Sequence, residues 1–503
     1  MPIKEKIKSH FTTYETSIDE NGLEHRRPAP REKIINPLTL VRKLTLMNWV
    51  YFLMGWMAWT MDGYDFHTVS LSVSKLAVYY DTPRARISQS ITLTLLFRSV
   101  GAAIFGIAGD LYGRKYPLFI NMLIIAVLQV GTAYAHTFET FLAVRALFGI
   151  AMGGVWGLAA SMSLENLPVE CRGLFSGVLQ QGYALGYLIA SIFNLTIVPN
   201  CPHPFRALFY IGAALTALVG FLRLLFPESK QFLEAKAQGR QGGHAKASMR
   251  EARVQVRVHW RRCVYAVVLM AGFNFMSHSS QDMYPTYMQQ GKGFSAKNAT
   301  LATLLGKVGA IIGGTIGGYY SQFFGRRLTI MVLCSIGACF IPLWVVPDSL
   351  VPLIIGNFMI DFCVQGAWGV IPVHLAELSP PAFRAAFPGI TYQLGNMISS
   401  PAAQILSSVA ESLKRPTALS NGTIVERPDY ATTQAIMMAI IFVWVGVWAA
   451  IGKEERGSRF EEARAAGMGE VEREEKGRGV VVLEGEGRGG GVEYVEDVEA
   501  QRR

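Results

Sequence analysis

The chain has 503 residues, a mean hydropathy of +0.28 and only 17% charged residues. Soluble domains carry about a quarter charged residues, so this composition argues against a soluble protein. The net charge of +10 comes mainly from basic segments outside the apolar stretches, so no nucleic-acid partner is expected. The six cysteines show no metal-binding or redox spacing, and we expect neither a metal nor another cofactor.

Long apolar segments alternate with short polar segments through most of the chain. Each is about 20 residues long, the length at which an α-helix crosses the hydrocarbon core of a bilayer. Lipid cannot satisfy exposed backbone groups, so each segment is predicted to be helical. The fold class is therefore an all-α membrane protein in a lipid bilayer, with twelve transmembrane helices. The predicted spans are 47–69, 88–109, 116–135, 140–161, 174–195, 207–226, 262–284, 300–320, 328–347, 350–371, 386–409 and 431–452.

The charged segments divide the chain into two halves. Residues 47–226 and 262–452 are predicted to form two six-helix bundles, preceded by an N-terminal tail at 1–46. A basic loop at 227–261 connects the bundles. The last segment, 453–503, is rich in Glu, Arg and Gly and is expected to be disordered.

Loop charge also predicts the orientation of the helices. The stretch 227–262 contains nine Lys and Arg residues against three Glu, which indicates a cytoplasmic loop. An even number of helices in each half then places both termini in the cytoplasm. The glycosylation sequons at Asn194, Asn298 and Asn421 fall at or near the opposite face. We expect a multi-pass protein of the plasma membrane.

The two halves are related by an internal repeat with an offset of 212 residues. It brings Gly113-Arg114-Lys115 onto Gly325-Arg326-Arg327 and Trp156-Gly157 onto Trp368-Gly369. Parallel repeats of six spans, with a ligand site near the midplane between them, resemble the major facilitator superfamily.

The loop after the second span strengthens this resemblance. Its string Gly106-x-x-x-Asp110-x-x-Gly113-Arg114-Lys115 resembles the signature loop of the superfamily. The resemblance implies a gating role for Asp110, Gly113, Arg114 and Lys115, whose charges would form ionic latches at the cytoplasmic mouth. The second copy has Gln322 where the aspartate is expected, which predicts a weaker latch in the second half.

Arg145 begins a second resemblance, to the fourth-span motif of the superfamily. Its string Arg145-x-x-x-Gly149-x-x-x-Gly153-Gly154 has the spaced glycines that suit close packing of helices. We group Arg145 with the gating residues. It is also a possible counter-ion for the acidic residues of the first span.

The seventh predicted span contains the densest set of polar residues. Asn274, His278, Gln281, Asp282 and Thr286 follow one another at steps of three and four, which predicts one polar stripe on one helix face. Polar side chains inside a membrane are costly and rarely face lipid. The stripe is therefore expected to line the central cavity or a helix interface.

The same string fits the pattern Asn-x-x-Ser/Thr-His-x-Ser/Thr-Gln-Asp-x-x-x-Thr at every fixed position. This pattern marks the fungal Jen-type lactate/pyruvate:proton symporters, in the sialate:proton symporter group of the superfamily. The resemblance includes the first-span string from Trp59 to Phe66 and the eleventh-span Gln393-x-x-Asn396, but not the tail. The matching residues of the seventh span are Asn274, Ser277, His278, Ser280, Gln281, Asp282 and Thr286.

This resemblance implies proton-coupled uptake of short monocarboxylates, such as lactate, pyruvate, acetate and propionate, by alternating access. The partner is then a small carboxylate substrate, the coupling ion is a proton, and the functional unit is expected to be a monomer.

Four residues are candidates for proton coupling. His278 titrates near physiological pH and Asp282, one helical turn along, favours its protonated form. The alternative is a structural ion pair that fixes helix packing. Asp62 and Asp65 lie one turn apart in the first span, and two such close carboxylates do not both ionise readily.

Arg98 is the candidate substrate clamp, because its planar guanidinium can bind a carboxylate through two hydrogen bonds. The alternative is a buried ion pair of Arg98 with Asp62 or Asp361. Lys307 and Asp361 are expected to neutralise each other. The complete set of predicted substrate-binding residues is Arg98, Asn274, Ser277, Gln281, Thr286, Gln393 and Asn396.

Other functions stay open at this point. The string Asp62-Gly63-Tyr64-Asp65 also resembles the aromatic-acid:proton symporters, and the Jen-type family includes dicarboxylate carriers. A non-transporting nutrient sensor would share the fold but usually has a long signalling tail. An enzyme would need a nucleophile or metal constellation within a span, and the sequence offers none.

Overall fold

A computed structural model describes most of the chain, and its architecture is helical. The described residues are 14–18, 24–28, 34–202, 204–229, 232–233, 257, 259–379, 385–418, 424–454, 482–483 and 493–494.

The described residues of the first half form nine α-helices, and they follow the six predicted spans closely. Helix α2 extends ten residues beyond its predicted end, and the fourth and fifth spans are each made of two helices that meet at Gly154 and at Gln181. The helices are α1 Pro37–Arg42, α2 Leu46–Tyr79, α3 Arg84–Tyr112, α4 Lys115–Tyr134, α5 Phe138–Gly153, α6 Val155–Glu165, α7 Arg172–Gln180, α8 Gly182–Thr196 and α9 Pro204–Leu224.

The second half repeats this arrangement. Its eleventh span is also divided, at Pro401, because proline cannot donate the backbone hydrogen bond that a continuous helix requires. The helices are α10 Trp260–Gln281, α11 Tyr284–Thr286, α12 Ala296–Phe324, α13 Arg326–Val345, α14 Leu350–Leu378, α15 Ala386–Ser399, α16 Ala402–Ser412 and α17 Tyr430–Ile451.

In the part of the chain that the structure describes, three small antiparallel strand pairs lie outside the helices. They are β1 Tyr14–Ile18 with β2 Glu24–Pro28, β3 Lys414–Ala418 with β4 Ile424–Pro428, and β5 Val482–Leu483 with β6 Glu493–Tyr494. Most of the predicted basic loop, the sequon at Asn421 and nearly all of the predicted disordered tail lie outside the described residues.

The predicted single polar stripe on the seventh span is wrong at its C-terminal end. Helix α10 ends at Gln281, and a separate three-residue helix and one turn of π-helix, Tyr287–Gly291, follow it. Pro285 explains the break, because it has no N–H group for the carbonyl oxygen of Gln281, four residues earlier, and its ring would clash with that carbonyl. Thr286 therefore does not share a helix face with Asn274 and His278.

Among the described residues, nine helical segments are long and apolar enough to cross a membrane. The predicted spans outside this group are the first, seventh and eleventh, which are formed by α2, α10 and the divided pair α15 and α16. These spans carry most of the predicted site. The spans that fall short in length or hydropathy are thus the ones that carry the polar side chains of the site.

The two bundles approach each other closely on the side that contains Asp110, which we call the Asp110 face. A Cβ atom on Gly177 of α7 would lie 2.4 Å from the carbonyl oxygen of Gly314 on α12. Ser176 donates to the carbonyl oxygen of Gly369 at 2.7 Å and accepts from the backbone of Val373 at 3.1 Å. Only residues without a side chain permit such backbone contact. The protein is therefore closed on the Asp110 face.

The segment before α2 crosses this closed side. Tyr319 of the second bundle donates its hydroxyl to the carbonyl oxygen of Ile35 at 2.8 Å. Leu40 is buried at 1% exposure in a cluster with Cys171 and Phe175 of the first bundle. The segment thereby contacts both bundles.

Candidate substrate and proton site

Arg98 forms a buried ion pair with Asp62. Helix α3 places its Nη2 atom 2.8 Å from the Oδ2 atom of Asp62 on α2, and both side chains are at most 1% exposed. Of the two partners considered from the sequence, the structure selects Asp62 and not Asp361. The Oδ1 atom of Asp62 has no hydrogen-bond partner among the described residues. One carboxylate oxygen therefore stays unsatisfied beside the guanidinium.

Asp65 has a separate set of partners inside the first bundle. Its two oxygens accept from Gln129 and from Thr216, each at 2.7 Å. Arg145 reaches this group through Gln129, at 3.4 Å, and its guanidinium lies 3.8 Å from the ring centre of Phe148. The structure thus associates Arg145 with Asp65, as the counter-ion hypothesis expected, and not with Asp110 and Arg114, with which it was grouped for gating.

His278 lies at the centre of a hydrogen-bonded chain in the second bundle. Its Nδ1 atom is 2.8 Å from Oδ2 of Asp282, and its Nε2 atom is 3.3 Å from Oδ1 of Asn396 on α15. Asn396 in turn donates to Gln393 at 3.2 Å. The side chain of His278 is 17% exposed and that of Asp282 is 46% exposed. This acid–base pair is therefore accessible, in contrast to the buried pair of Asp62 and Arg98.

The other predicted residues of the seventh span divide between several environments. Ser277 accepts from the indole of Trp368 at 2.6 Å. Asn274 donates to two backbone carbonyl oxygens, of Met270 at 2.8 Å and of Tyr392 at 3.5 Å. Thr286 lies beyond the helix end. These contacts give Ser277 and Asn274 partners within the bundle.

Gln281 belongs to a third polar group, with Lys307 and Asp361. The ammonium group of Lys307 is 2.5 Å from Oε1 of Gln281 and 3.4 Å from Oδ2 of Asp361. The expected mutual neutralisation of Lys307 and Asp361 is therefore matched by an ion pair, to which Gln281 adds a closer contact. Nε2 of Gln281 and Oδ1 of Asp361 are buried without a partner among the described residues.

His67 joins these groups across the interface between the bundles. It is close enough to Lys307, Asp282, His278 and Arg98 to interact with all four electrostatically. Its ring contacts Tyr183 and Tyr187, with centroid distances of 5.0 and 4.8 Å. Sequence reasoning missed His67, although an ionisable residue within an apolar span is itself a signal.

Aromatic side chains from both bundles border the same region. Tyr392 lies 4.7 Å from Trp156 and 5.6 Å from Trp368, measured between ring centroids. Trp59 stacks on Tyr183 at 5.1 Å. The sequence repeat relates Trp156 to Trp368, since 156 plus 212 is 368. The sequence pattern alone gave no reason to place these rings at the site.

The predicted gating residues lie together on the Asp110 face. Asp110 accepts from the backbone N–H groups of Ala385 and Ala386, at 3.1 and 3.0 Å, and thereby contacts the start of α15 in the other bundle. A carboxylate at a helix N-terminus is favoured by the unsatisfied N–H groups there. Arg114 pairs with Glu165 at 2.9 Å and with Asp110 at 3.4 Å.

Gly113 and Lys115 complete this loop through their backbones. Gly113 has a φ of 90°, a conformation that suits glycine, and Glu228 accepts from the backbone of Lys115 at 2.8 Å. In the second copy, Gln322 accepts from Arg326 at 2.8 Å, and Arg326 pairs with Glu377 at 3.0 Å. A neutral amide thus replaces the carboxylate that Asp110 provides in the first copy.

Among the described residues, no group of three or more His, Cys, Asp or Glu side chains is arranged to hold a metal ion.

Comparison with known proteins decides the family. A model of the Major Facilitator Superfamily matches residues 44–403. The chain belongs to the major facilitator superfamily. Its members are transporters, which confirms both the predicted fold and the prediction that this transporter is not an enzyme.

Individual relatives agree with this assignment. The transporter is 36% identical over 436 residues to the carboxylic acid transporter protein homolog of Saccharomyces cerevisiae, across 84% of this chain and 70% of that protein. It is 24% identical to the cis,cis-muconate transport protein of Acinetobacter baylyi, across 69% of this chain and 84% of the relative. It is also 24% identical to the sialic acid transporter NanX of Escherichia coli, across 68% and 82%.

Solved structures show the same fold. The proton:xylose symporter XylE, bound to 6-bromo-6-deoxy-D-glucose, superposes with a TM-score of 0.63 at 17% identity. The match covers 83% of this chain and 98% of that one.

Proposed function

We propose that this transporter is a proton-coupled symporter that imports short monocarboxylates, such as lactate, pyruvate, acetate and propionate, across the plasma membrane. The fit of the seventh span to the Jen-type pattern supports this substrate class. So does the relative at 36% identity, which is named a carboxylic acid transporter protein homolog.

The observation that carries the proposal is the meeting of two charged pairs at the bundle interface. The hydroxyl of Ser99, next to Arg98, donates to Sδ of Met397 at 3.7 Å, and Met397 follows Asn396, which contacts His278. Arg98 supplies the cation that a carboxylate needs, and the pair of His278 and Asp282 supplies a group that can hold a proton. The anion at Arg98 and the proton at His278 and Asp282 would thus bind close enough to influence each other.

The ion pair with Asp62 gives the coupling a physical reason. An incoming carboxylate competes with Asp62 for the guanidinium of Arg98. A proton held on His278 beside Asp282 offsets the added negative charge, so the substrate anion binds without adding net charge to a buried site. Binding of the anion without such compensation would leave a buried unpaired charge, which is strongly unfavourable.

The closed Asp110 face gives the direction of entry. We assign this face, together with both termini, to the cytoplasm. Glu228, at the start of the basic loop between the bundles, contacts Lys115 on the Asp110 face, and loops rich in Lys and Arg stay on the cytoplasmic side. The substrate and proton then enter from the opposite face, where Asp282 is exposed. Reorientation breaks the Asp110 contacts with Ala385 and Ala386 and opens the cytoplasmic side.

The site is built from residues of one chain, which supports a functional monomer in the bilayer with a small carboxylate as its partner. No cofactor other than the coupling proton is required by this scheme.

A second substrate class has its own support. Lys307 provides a second cation near the site, and one relative is named a cis,cis-muconate transport protein. A dicarboxylate or an aromatic acid is therefore the competing candidate.

The decisive experiment is uptake of radiolabelled lactate by cells that lack their own carboxylate transporters and express this chain. We expect saturable uptake that falls as the external pH rises from about 5 to 7.5. A competition panel of lactate, succinate and benzoate separates the substrate classes. Saturable uptake that only succinate or benzoate inhibits would contradict the monocarboxylate assignment, and absence of any acid uptake would favour a sensor.

A further inference from the structure

The acceptor atoms around His278 determine which of its ring nitrogens carry protons. An ionised Asp282 only accepts hydrogen bonds, so Nδ1 of His278 must carry a proton. The Oδ1 atom of Asn396 also only accepts, so Nε2 must carry a proton too. The arrangement of Asp282, His278 and Asn396 therefore suits the doubly protonated, cationic imidazolium.

The order of donors and acceptors continues through Asn396 to Gln393. With its Oδ1 atom on His278, Asn396 turns its Nδ2 atom to Oε1 of Gln393. The Nε2 atom of Gln393 is then a donor, and it is buried without a partner among the described residues. A buried donor that lacks an acceptor is costly unless a ligand supplies one. A carboxylate is such a ligand.

Loss of the proton on Nε2 reverses every step. Asp282 still holds the proton on Nδ1, so neutral His278 presents a bare Nε2 that can only accept. Asn396 must then turn its Nδ2 atom to His278 and its Oδ1 atom to Gln393. The Nε2 atom of Gln393 then donates to Oδ1 of Asn396. The Oε1 atom of Gln393 comes to lie where its free Nε2 donor was before. An amide oxygen repels a carboxylate.

We propose that His278, Asn396 and Gln393 form an amide relay that converts protonation of His278 into affinity for the substrate carboxylate. Asn396 acts here as a positioning residue, and Gln393 is the group that the substrate contacts. The inference rests on the proposed function and adds a physical route from proton to substrate. It predicts that proton binding and substrate binding strengthen each other reciprocally.

Gln281 provides an internal contrast. Its Nε2 atom is also a buried donor without a partner among the described residues, but its Oε1 atom is held by Lys307. An ammonium group has no acceptor, so it cannot reverse the orientation of this amide. Gln281 is therefore a fixed donor, whereas Gln393 is a switched donor.

The charged neighbours of His278 set its response to pH. Asp282 lies on its own helix, with Oδ2 2.8 Å from Nδ1, and Arg98 lies on α3. His67 on α2 and Lys307 on α12 border the same region. Raising the external pH moves His278 toward its neutral form, so the relay predicts weaker substrate binding at high pH.

The test is the lactate KM at external pH 5 and pH 7.5, normalised to surface protein. Coupling of this kind typically amounts to five- to 150-fold, and we expect the wild-type KM to rise about tenfold between the two pH values. In Asn396→Leu the relay is broken, so KM should be high at both pH values and the ratio should fall to about twofold or less. Gln281→Met should raise KM by the same factor at both pH values and keep the wild-type ratio.

Asn396→Asp is the second variant, for the case in which the leucine variant does not reach the surface. A carboxylate at this position accepts from both His278 and Gln393, so Gln393 loses its free donor at every pH and the ratio should again collapse. Asn357→Leu is the matched control, because Asn357 is a buried amide of the same bundle bound to Trp344 and to Ala302. Its pH ratio should equal that of the wild type.

The outcomes separate the two proposals. A wild-type ratio in both surface-expressed Asn396 variants overturns the relay and leaves symport intact. A wild-type KM that does not change with pH overturns proton coupling and the relay together. If the wild type carries another acid of the panel and not lactate, the substrate assignment fails, and the same variants are measured with that acid.

Discussion

The two bundles have the same helical frame but different acid–base chemistry. In the first bundle, Asp62 and Asp65 have fully buried side chains whose partners are an arginine, a glutamine and a threonine. In the second bundle, His278 and Asp282 form a pair that is 17% and 46% exposed. Exposure decides which group can exchange protons with solvent. On the proposed function, the first bundle thus holds fixed charge and the second bundle exchanges protons with solvent.

The internal repeat makes this division visible. Positions 62 and 65 plus 212 give 274 and 277, so the acidic residues of the first bundle correspond to Asn274 and Ser277 of the second. Asn274 and Ser277 make neutral hydrogen bonds to backbone and to indole. The repeat therefore preserves the packing positions but not the ionisable groups.

The largest expected effect comes from removing the accessible acid–base group. His278→Ala should abolish accumulation of lactate against a gradient while the protein still reaches the surface, because Asp282 then loses the imidazole with which it holds the proton. Accumulation ratio and surface biotinylation are measured together. Wild-type accumulation in the variant would refute the division between the bundles, and retention inside the cell would indicate a packing role.

Arg98→Lys tests the fixed charge of the first bundle. Lysine keeps the charge but loses the planar fork, so the charged hydrogen bonds to a substrate carboxylate weaken by about 1.5–3 kcal/mol. We expect the lactate KM to rise about ten- to a hundredfold with normal surface expression. A KM within about twofold of the wild type would show that Arg98 serves only as a partner of Asp62.

Asp110→Asn sharpens the comparison at the closed face, where the second copy of the loop already has an amide. The asparagine NH2 group would face one of the two backbone donors, so the contact with Ala385 and Ala386 weakens. We expect the state that is open at the Asp110 face to increase about tenfold, since a charged hydrogen bond contributes about 1.5–3 kcal/mol.

The readout for this change is the reaction of Ser176→Cys with an impermeant thiol reagent, in a background without the six native cysteines. Ser176 is fully buried between the bundles in the closed state. An unchanged labelling rate relative to the Asp110 background would contradict a gating role for Asp110.

Asp65→Asn has the smallest expected effect on coupling. Asp65 accepts two hydrogen bonds, and the asparagine NH2 group would face one of the two donors. The variant should therefore lower the free energy of unfolding by about 1–3 kcal/mol. The decline of uptake between pH 5 and pH 7.5 should keep its wild-type shape in the molecules that reach the surface. A flattened pH profile would make Asp65 a proton carrier and break the comparison.

Much of the fold could be predicted from the sequence, because membrane helices are recognised by their length and their apolar composition. The predicted spans agree with the helices to within a few residues, except at the extensions of α2 to Tyr79 and of α14 to Leu378 and at the breaks near Gly154, Gln181, Pro285 and Pro401. These exceptions depend on tertiary contacts and on backbone geometry, which hydropathy does not report.

The sequence could predict which residues belong to the site but not which of them contact each other. The sequence identified Arg98, His278 and Asp282, yet it could not choose between Asp62 and Asp361 as the partner of Arg98. It also missed His67 and the link from Lys307 to Gln281, because such contacts join helices that are distant in sequence. The break at Pro285 removed Thr286 from the stripe, although the proline was visible.

Lactate accumulation by purified protein in liposomes tests the central claim, electroneutral coupling of one proton to one carboxylate, most directly. With the potential clamped at zero, an acidic exterior should drive accumulation, and His278→Ala liposomes should show only passive entry. At equal pH, an interior-negative potential should drive none, although it supplies about 2.3 kcal/mol per charge per 100 mV. Accumulation driven by that potential, or equal accumulation in wild-type and His278→Ala liposomes under the pH gradient, would contradict the account.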